Sequence, residues 1–97
     1  MRVSLSEEAK RDLGDIGDYI ALDDPDRAES FVVELTSKAS ELASMPNRFP
    51  LLPRFASAGI RHRTHGAYLI LYAVRDEEVY VLRFIHGARD YQALLLA

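Results

Sequence analysis

IRHRTHGAYLILYAV, residues 60–74, decides the fold. A glycine sits near its middle, and His65-Gly66 reads as a two-residue turn in which Gly66 supplies the positive φ that hairpin turns need. Residues 60–64 before it form a short strand of mixed polarity. Residues 67–74 after it (AYLILYAV) are apolar at every step, so the expected strand is central and covered on both faces. The polar run RDEE, residues 75–78, makes a second loop, and VYVLRFIH, residues 79–86, a third strand. Three consecutive strands with short connections predict an antiparallel meander.

These turns set a register. Thr64 is expected opposite Ala67, Arg63 opposite Tyr68 and Arg61 opposite Ile70. On the other side Val74 faces Val79, Tyr72 faces Val81, Ile70 faces Arg83 and Tyr68 faces Ile85. Side chains alternate between faces. One face then carries Arg61, Arg63, Tyr68, Ile70, Tyr72, Val81, Arg83 and Ile85, and the other Ile60, His62, Leu69, Leu71, Tyr80, Leu82, Phe84 and His86. The second set is the more apolar, so helices are expected to cover it. The first set leaves Arg61, Ile70 and Arg83 in one row, with Arg63 and Tyr68 beside them.

Upstream, residues 2–5 (RVSL) read as a strand. Ser6 is a helix cap, followed by Glu7 and Glu8, whose charges suit a helix N-terminus. Ala9, Leu13, Ile16 and Ile20 follow on one helical stripe. Gly14 and Gly17 interrupt it and suggest a notch for close helix packing. Asp24 and Pro25 start a second helix as cap and first residue. Its apolar face carries Ala28, Phe31, Val32, Leu35, Ala39 and Leu42, and it ends before Pro46. The short link predicts an antiparallel helical hairpin. Residues 47–55 (NRFPLLPRF) hold two prolines and break regular structure.

Composition narrows the classes. The 97 residues are expected to form one domain spanning 1–97. There is no cysteine, which excludes a disulfide scaffold and a cysteine-ligated zinc site. No phosphate loop, nucleophile elbow or metal-ligand spacing occurs, so no cofactor and no metal are expected. MRVSLSEEAK lacks an apolar signal core and no run approaches membrane-spanning length, so the expected location is cytoplasmic, away from membranes. Net charge is −3, unevenly spread. Residues 1–46 hold 5 Lys+Arg against 11 Asp+Glu, and residues 47–97 hold 7 against 4. An acidic helical half and a basic sheet half suit a dipolar domain whose second half meets an anionic surface. A sequence pI of about 5.5 argues against a general nucleic-acid binder.

Arginines in a fixed row suit phosphate or carboxylate recognition, because each offers a planar fork of donors. RNA cleavage would also need an acid and a base. His86 and Tyr91 are the candidates, with Arg61, Arg63 and Arg83 as charge stabilisers. A strand-end His86 satisfied by backbone and edge arginines that deter aggregation are the competing structural readings. Asp90 can cap a short terminal turn.

The order of elements (strand, helical hairpin, three-stranded meander, short tail or helix) is an α+β arrangement that resembles the RelE/ParE superfamily of bacterial toxins. EEAKRDLGDIGDYIALDDP, ELASMPNRFP, IRHRTHGAYLILYAV and VLRFIHGARD carry the resemblance across nearly the whole chain. It implies the toxin half of a type II toxin–antitoxin module. The partner would be a ParD-like antitoxin, held in a hetero-oligomer. RelE-like members cut mRNA in the ribosome, and ParE-like members poison DNA gyrase. Carried onto this sequence, a nuclease would use Arg61, Arg83 and Tyr91, with His86. Arg54 is the only basic residue where the nucleases often carry lysines, and no lysine follows Lys38. The FP-containing loop and the HGARD ending resemble the ParE side, so gyrase poisoning is the favoured expectation. Ribosome-dependent mRNA cleavage and an inactive antitoxin-binding module remain as alternatives. Target contacts are expected at Arg54, Arg61, Arg63, Arg83 and Arg89. Antitoxin contacts are expected along the apolar surface of the hairpin and at Leu94, Leu95 and Leu96.

Overall fold

The computed structural model describes residues 1–89 and 91–96, and for Leu96 only the backbone. Asp90 and the Leu96 side chain, given roles above, lie outside the described residues. The elements are β1 (Arg2–Leu5), α1 (Glu7–Ala21), α2 (Pro25–Glu41), a 3₁₀ segment (Pro53–Ala58), β2 (Ile60–His65), β3 (Tyr68–Arg75), β4 (Glu78–His86) and α3 (Tyr91–Leu96). The sheet order is β1-β4-β3-β2. The meander is antiparallel, and β1 adds to β4 in parallel. That pairing makes the sheet mixed and sends the chain across one face as the α1–α2 hairpin.

Local chemistry starts each helix where expected. The Ser6 hydroxyl accepts the Ala9 N–H at 3.0 Å and donates to the Leu82 carbonyl at 2.7 Å, tying the cap of α1 to β4. The Asp24 carboxylate accepts the Arg27 N–H at 3.1 Å, and Pro25 opens α2. Ala9, Ile16, Phe31, Leu35, Ala39 and Leu42 bury their side chains against Ile70, Tyr72, Val79, Val81 and Phe84. Each large aliphatic side chain buried this way contributes about 1.5–3 kcal/mol. Gly17 is the tight point of the hairpin, since a Cβ there would meet Val32 Cγ2 at 3.4 Å. Gly14 faces open space, so only one of the two glycines forms a notch.

The expected covered face is overturned. The hairpin lies on the face of Tyr68, Ile70 and Tyr72 and not on that of Leu69 and Leu71. A β-bulge explains the difference. Val74 pairs with Val79 and Tyr72 with Val81, but the register then shifts and Ile70 pairs with Phe84 and Tyr68 with His86. One extra residue, Leu82, turns Phe84 onto the helical side and Ile85 away from it. With Phe84 restored to it, that face becomes the apolar one. The β2–β3 turn also moves, from His65-Gly66 to Gly66-Ala67, with His65 opposite Tyr68. A two-residue slip preserves which side chains share a face, so Arg61 and Arg63 still accompany Ile70 and Tyr72. Gly66 has φ 59° and lies 3.4 Å from the Phe31 ring by its would-be Cβ, two separate demands for glycine. At the other turn Asp76 and Glu77 both take positive φ, 52° and 59°, as a two-residue hairpin of this hand requires.

The second face has its own core. Leu52, Phe55, Ile60, Leu71 and Ile85 pack there with Tyr91, Leu94 and Leu95. The 3₁₀ segment and α3 thus cover part of the side that the hairpin leaves open, and Arg54 Nη1 donates to Gln92 Oε1 at 3.2 Å to join them.

Candidate functional site

The predicted arginine row is not an open surface. Arg61 Nη1 donates to the Phe49 carbonyl at 2.7 Å and to that of Asn47 at 3.4 Å. Arg63 Nη1 donates to the Lys38 carbonyl at 3.0 Å and pairs with Glu41 at 3.0 Å, while its guanidinium lies 4.7 Å from the centre of the Phe49 ring. Lys38 stands in the last turn of α2, where carbonyls lack intrahelical partners, so Arg63 serves as a cationic C-terminal cap. Tyr72 completes the set, its buried hydroxyl donating to the Pro46 carbonyl at 2.8 Å. Burial raises the phenol above its ordinary value, against the opposing pull of Arg61. Two arginines and a tyrosine therefore lash the end of α2 and the proline-bearing loop to the sheet.

Arg83 is tied elsewhere. Its Nε donates to Asp12 Oδ2 at 2.7 Å and its Nη2 to Asp12 Oδ1 at 2.9 Å. The same Oδ2 accepts the Phe84 N–H at 3.0 Å. That N–H lies beyond the last β1–β4 pair, Leu5 with Val81, so the Asp12 carboxylate takes over where β1 stops. The hydrogen bonds it donates to Asp12 raise the Arg83 guanidinium above its ordinary value. Sequence reasoning missed Asp12. The signal was present, since Asp12 lies three residues after Ala9 and four before Ile16, on the buried stripe of α1, where an acid needs a partner.

His86 is exposed, its Nδ1 accepts the Ala88 N–H at 3.1 Å, and its ring meets Tyr68 edge-on at 5.3 Å. Tyr91 packs on the second face, whereas Arg61 pairs with Tyr72 on the helix-covered face. The candidate nuclease residues are therefore not brought to one side. Leu94 and Leu95 are half-buried against the chain's own sheet. Of the five arginines expected to meet a target, Arg54 and Arg89 are exposed, and Arg61, Arg63 and Arg83 are half-buried structural ties.

The outer side of the hairpin is a different kind of surface. Leu13, Gly14, Gly17, Pro25, Ala28, Val32 and Val33 line a groove of about 480 Å³ between α1 and α2, edged by Asp18 and Glu29. Val33 is 58% exposed within it. Gly14 and Gly17 keep the groove floor low because they carry no side chain. Among the described residues no helix is long and apolar enough to cross a membrane, and no cluster of His, Asp or Glu could hold a metal ion.

A mixed sheet under a two-helix hairpin, with arginines consumed as internal ties, is the frame of a small toxin of the ParE/RelE type. Residues 3–91 match the family described as the ParE toxin of the type II toxin–antitoxin system, parDE, and the chain belongs to that family. Among solved structures, the chain is similar to one from the chromosomal ParDE TA system of P. aeruginosa. The TM-score there is 0.75 at 24% identity, covering 89% of this chain and 95% of the other. It is also similar to one from the toxin–antitoxin complex RelBE2 of Mycobacterium tuberculosis. Here the TM-score is 0.65 at 28% identity, covering 88% of this chain and 95% of the other. Comparison with curated proteins gave no match.

Proposed function

We propose that the protein is a cytoplasmic toxin that arrests growth by poisoning DNA gyrase and is silenced by a ParD-like antitoxin. The family supplies the toxin role. The observation that favours gyrase over mRNA is the separation of the nuclease candidates. Arg61 and Arg63 are spent on carbonyls under the hairpin, and Tyr91 lies on the opposite face. Phosphoryl transfer needs its acid, base and charge stabilisers around one reacting atom. Of the five arginines expected to meet a target, Arg54 and Arg89 are the exposed ones, and both stand in the basic half of the chain.

The antitoxin seat is the outer hairpin groove. Its apolar floor and acidic rim fit an amphipathic helix carrying basic residues beside its apolar stripe. Leu94 and Leu95 contribute to holding α3 on the sheet, a role that leaves the groove as the main contact. The experiment is a gyrase supercoiling assay with purified protein, alongside primer extension on translated mRNA. Inhibited supercoiling or trapped cleaved DNA, with intact transcripts, is expected. Cleaved transcripts with normal supercoiling would assign the protein to the RelE-like activity.

A further inference from the structure

A cleft of about 370 Å³ opens between α1 and the far end of β3 and β4, away from the hairpin groove. Ile16, Phe84 and Ile85 give it an apolar floor. Asp15 and Tyr19 reach it from α1, four residues apart and so on one helical face. Tyr68, His86 and Arg89 reach it from the sheet end and the loop that follows. Tyr19 is 70% exposed although it is a large aromatic. Tyr68 packs against two rings, Phe31 at 5.6 Å and His86, nearly perpendicular to it, at 5.3 Å between centroids.

The polar groups of this cleft divide into used and unused. Asp12 is fully engaged by Arg83 and the Phe84 N–H. The Asp15 carboxylate, the Tyr19 and Tyr68 hydroxyls and the Arg89 guanidinium have no hydrogen-bond partner among the described residues. His86 Nδ1 accepts the Ala88 N–H, so in the neutral ring the proton sits on Nε2. Two phenol rings, an apolar floor and one unpaired carboxylate together make a receptor for a cation on a long stem. The stem lies along the floor, the charge meets the aromatic faces, and the carboxylate neutralises it. The field agrees, because with Asp12 neutralised by Arg83, α1 still carries four acids (Glu7, Glu8, Asp15, Asp18) against two bases (Lys10, Arg11). Arg89, on the opposite wall, repels a cation placed beside it and so confines the charge to the Asp15 side of the cleft.

We propose that this cleft seats a single arginine side chain supplied by a protein partner. Arginine fits better than lysine, since its planar guanidinium stacks on a phenol ring while its fork grips a carboxylate. Arg89 then meets an acidic residue or a carbonyl next to that arginine, which fixes the direction of the incoming chain.

The test uses the full chain and a free probe, so it does not depend on the antitoxin, on gyrase or on toxicity. Nitrogen-labelled protein is titrated with N-acetyl-argininamide, N-acetyl-lysinamide or N-acetyl-glutamate amide, and backbone amide shifts are followed. Saturable shifts at Ile16, Tyr19 and Tyr68 are expected with the arginine probe, with weaker binding of the lysine probe. Asp15→Asn and Tyr19→Ala, both at exposed helical positions, should each weaken the arginine probe by about tenfold. Circular dichroism shows whether each variant stays folded, and Arg89→Gln should bind the arginine probe at least as well as the parent. Absence of localised shifts with the arginine probe would overturn the proposal. So would shifts from the glutamate probe that vanish in Arg89→Gln, which would make the cleft an anion site.

Discussion

Asp12 on α1 holds Arg83 on β4 through two hydrogen bonds of 2.7 and 2.9 Å, and the same carboxylate accepts the Phe84 N–H at 3.0 Å. Both side chains are mostly shielded, at 10% and 18% exposure. Removing one partner of such a pair strands the other charge. Asp12→Ala is therefore expected to cost about 3–5 kcal/mol, measured by urea denaturation. Part of that cost is the orphaned Phe84 N–H. The double variant Asp12→Leu with Arg83→Met should lose clearly less than the sum of the single losses. Additive losses would show that the pair does not act as a unit.

Arg61 and Arg63 should behave as structural residues. Arg61 donates to the Asn47 and Phe49 carbonyls of the loop, and Arg63 to the Lys38 carbonyl at the end of α2. Arg61→Ala and Arg63→Ala are each expected to lower stability by about 1.5–3 kcal/mol, read by thermal melting. An unchanged melting temperature would return these arginines to the surface role first expected of them.

Tyr72 makes the protein sensitive to base. Burial raises its phenol above the ordinary value near 10, so the folded state favours the neutral form. The stabilisation is complete below pH 10 and is lost as pH rises through the higher folded value. Tyrosinate absorbance should show Tyr72 still protonated at pH 10, with unfolding accompanying its ionisation. Tyr72→Phe should abolish that coupling while costing about 1 kcal/mol for the unpaired Pro46 carbonyl. An unfolding transition at the same alkaline pH in Tyr72→Phe would refute the link.

The two glycines of α1 should separate under mutation. Gly14→Ala meets nothing within 4 Å and should stabilise by up to about 1 kcal/mol through helix propensity alone. Gly17→Ala should gain less, because its Cβ meets Val32 Cγ2 at 3.4 Å. Equal gains in chemical denaturation would mean that α1 and α2 approach less closely at Gly17.

The helices, their caps and the meander were legible because each rests on local chemistry. Ser6 and Asp24 cap by short-range bonds, and AYLILYAV announces a central strand by apolarity alone. The register past Val81 was not legible. A bulge at Leu82 costs one residue and leaves no mark in a run as uniform as VLRFI, yet it exchanges the faces of Phe84 and Ile85. That exchange also hid which face the hairpin covers, and so turned three internal arginine ties into an apparent cationic surface. Asp12 was readable in principle as an acid on an apolar stripe, but its partner lies 71 residues away. The Tyr19–Tyr68 cleft depends on how α1 passes the end of the sheet, which periodicity does not encode.

The most direct measurement is gyrase supercoiling of relaxed plasmid DNA by purified enzyme, with the folded protein added in micromolar excess. Supercoiling should fall or cleaved DNA accumulate, the antitoxin should reverse the effect, and Arg54→Ala with Arg89→Ala should weaken it, with circular dichroism confirming that the double variant stays folded despite the lost Arg54–Gln92 bond. Unimpaired supercoiling, with transcripts cut at the ribosome during growth arrest, would contradict gyrase as the target.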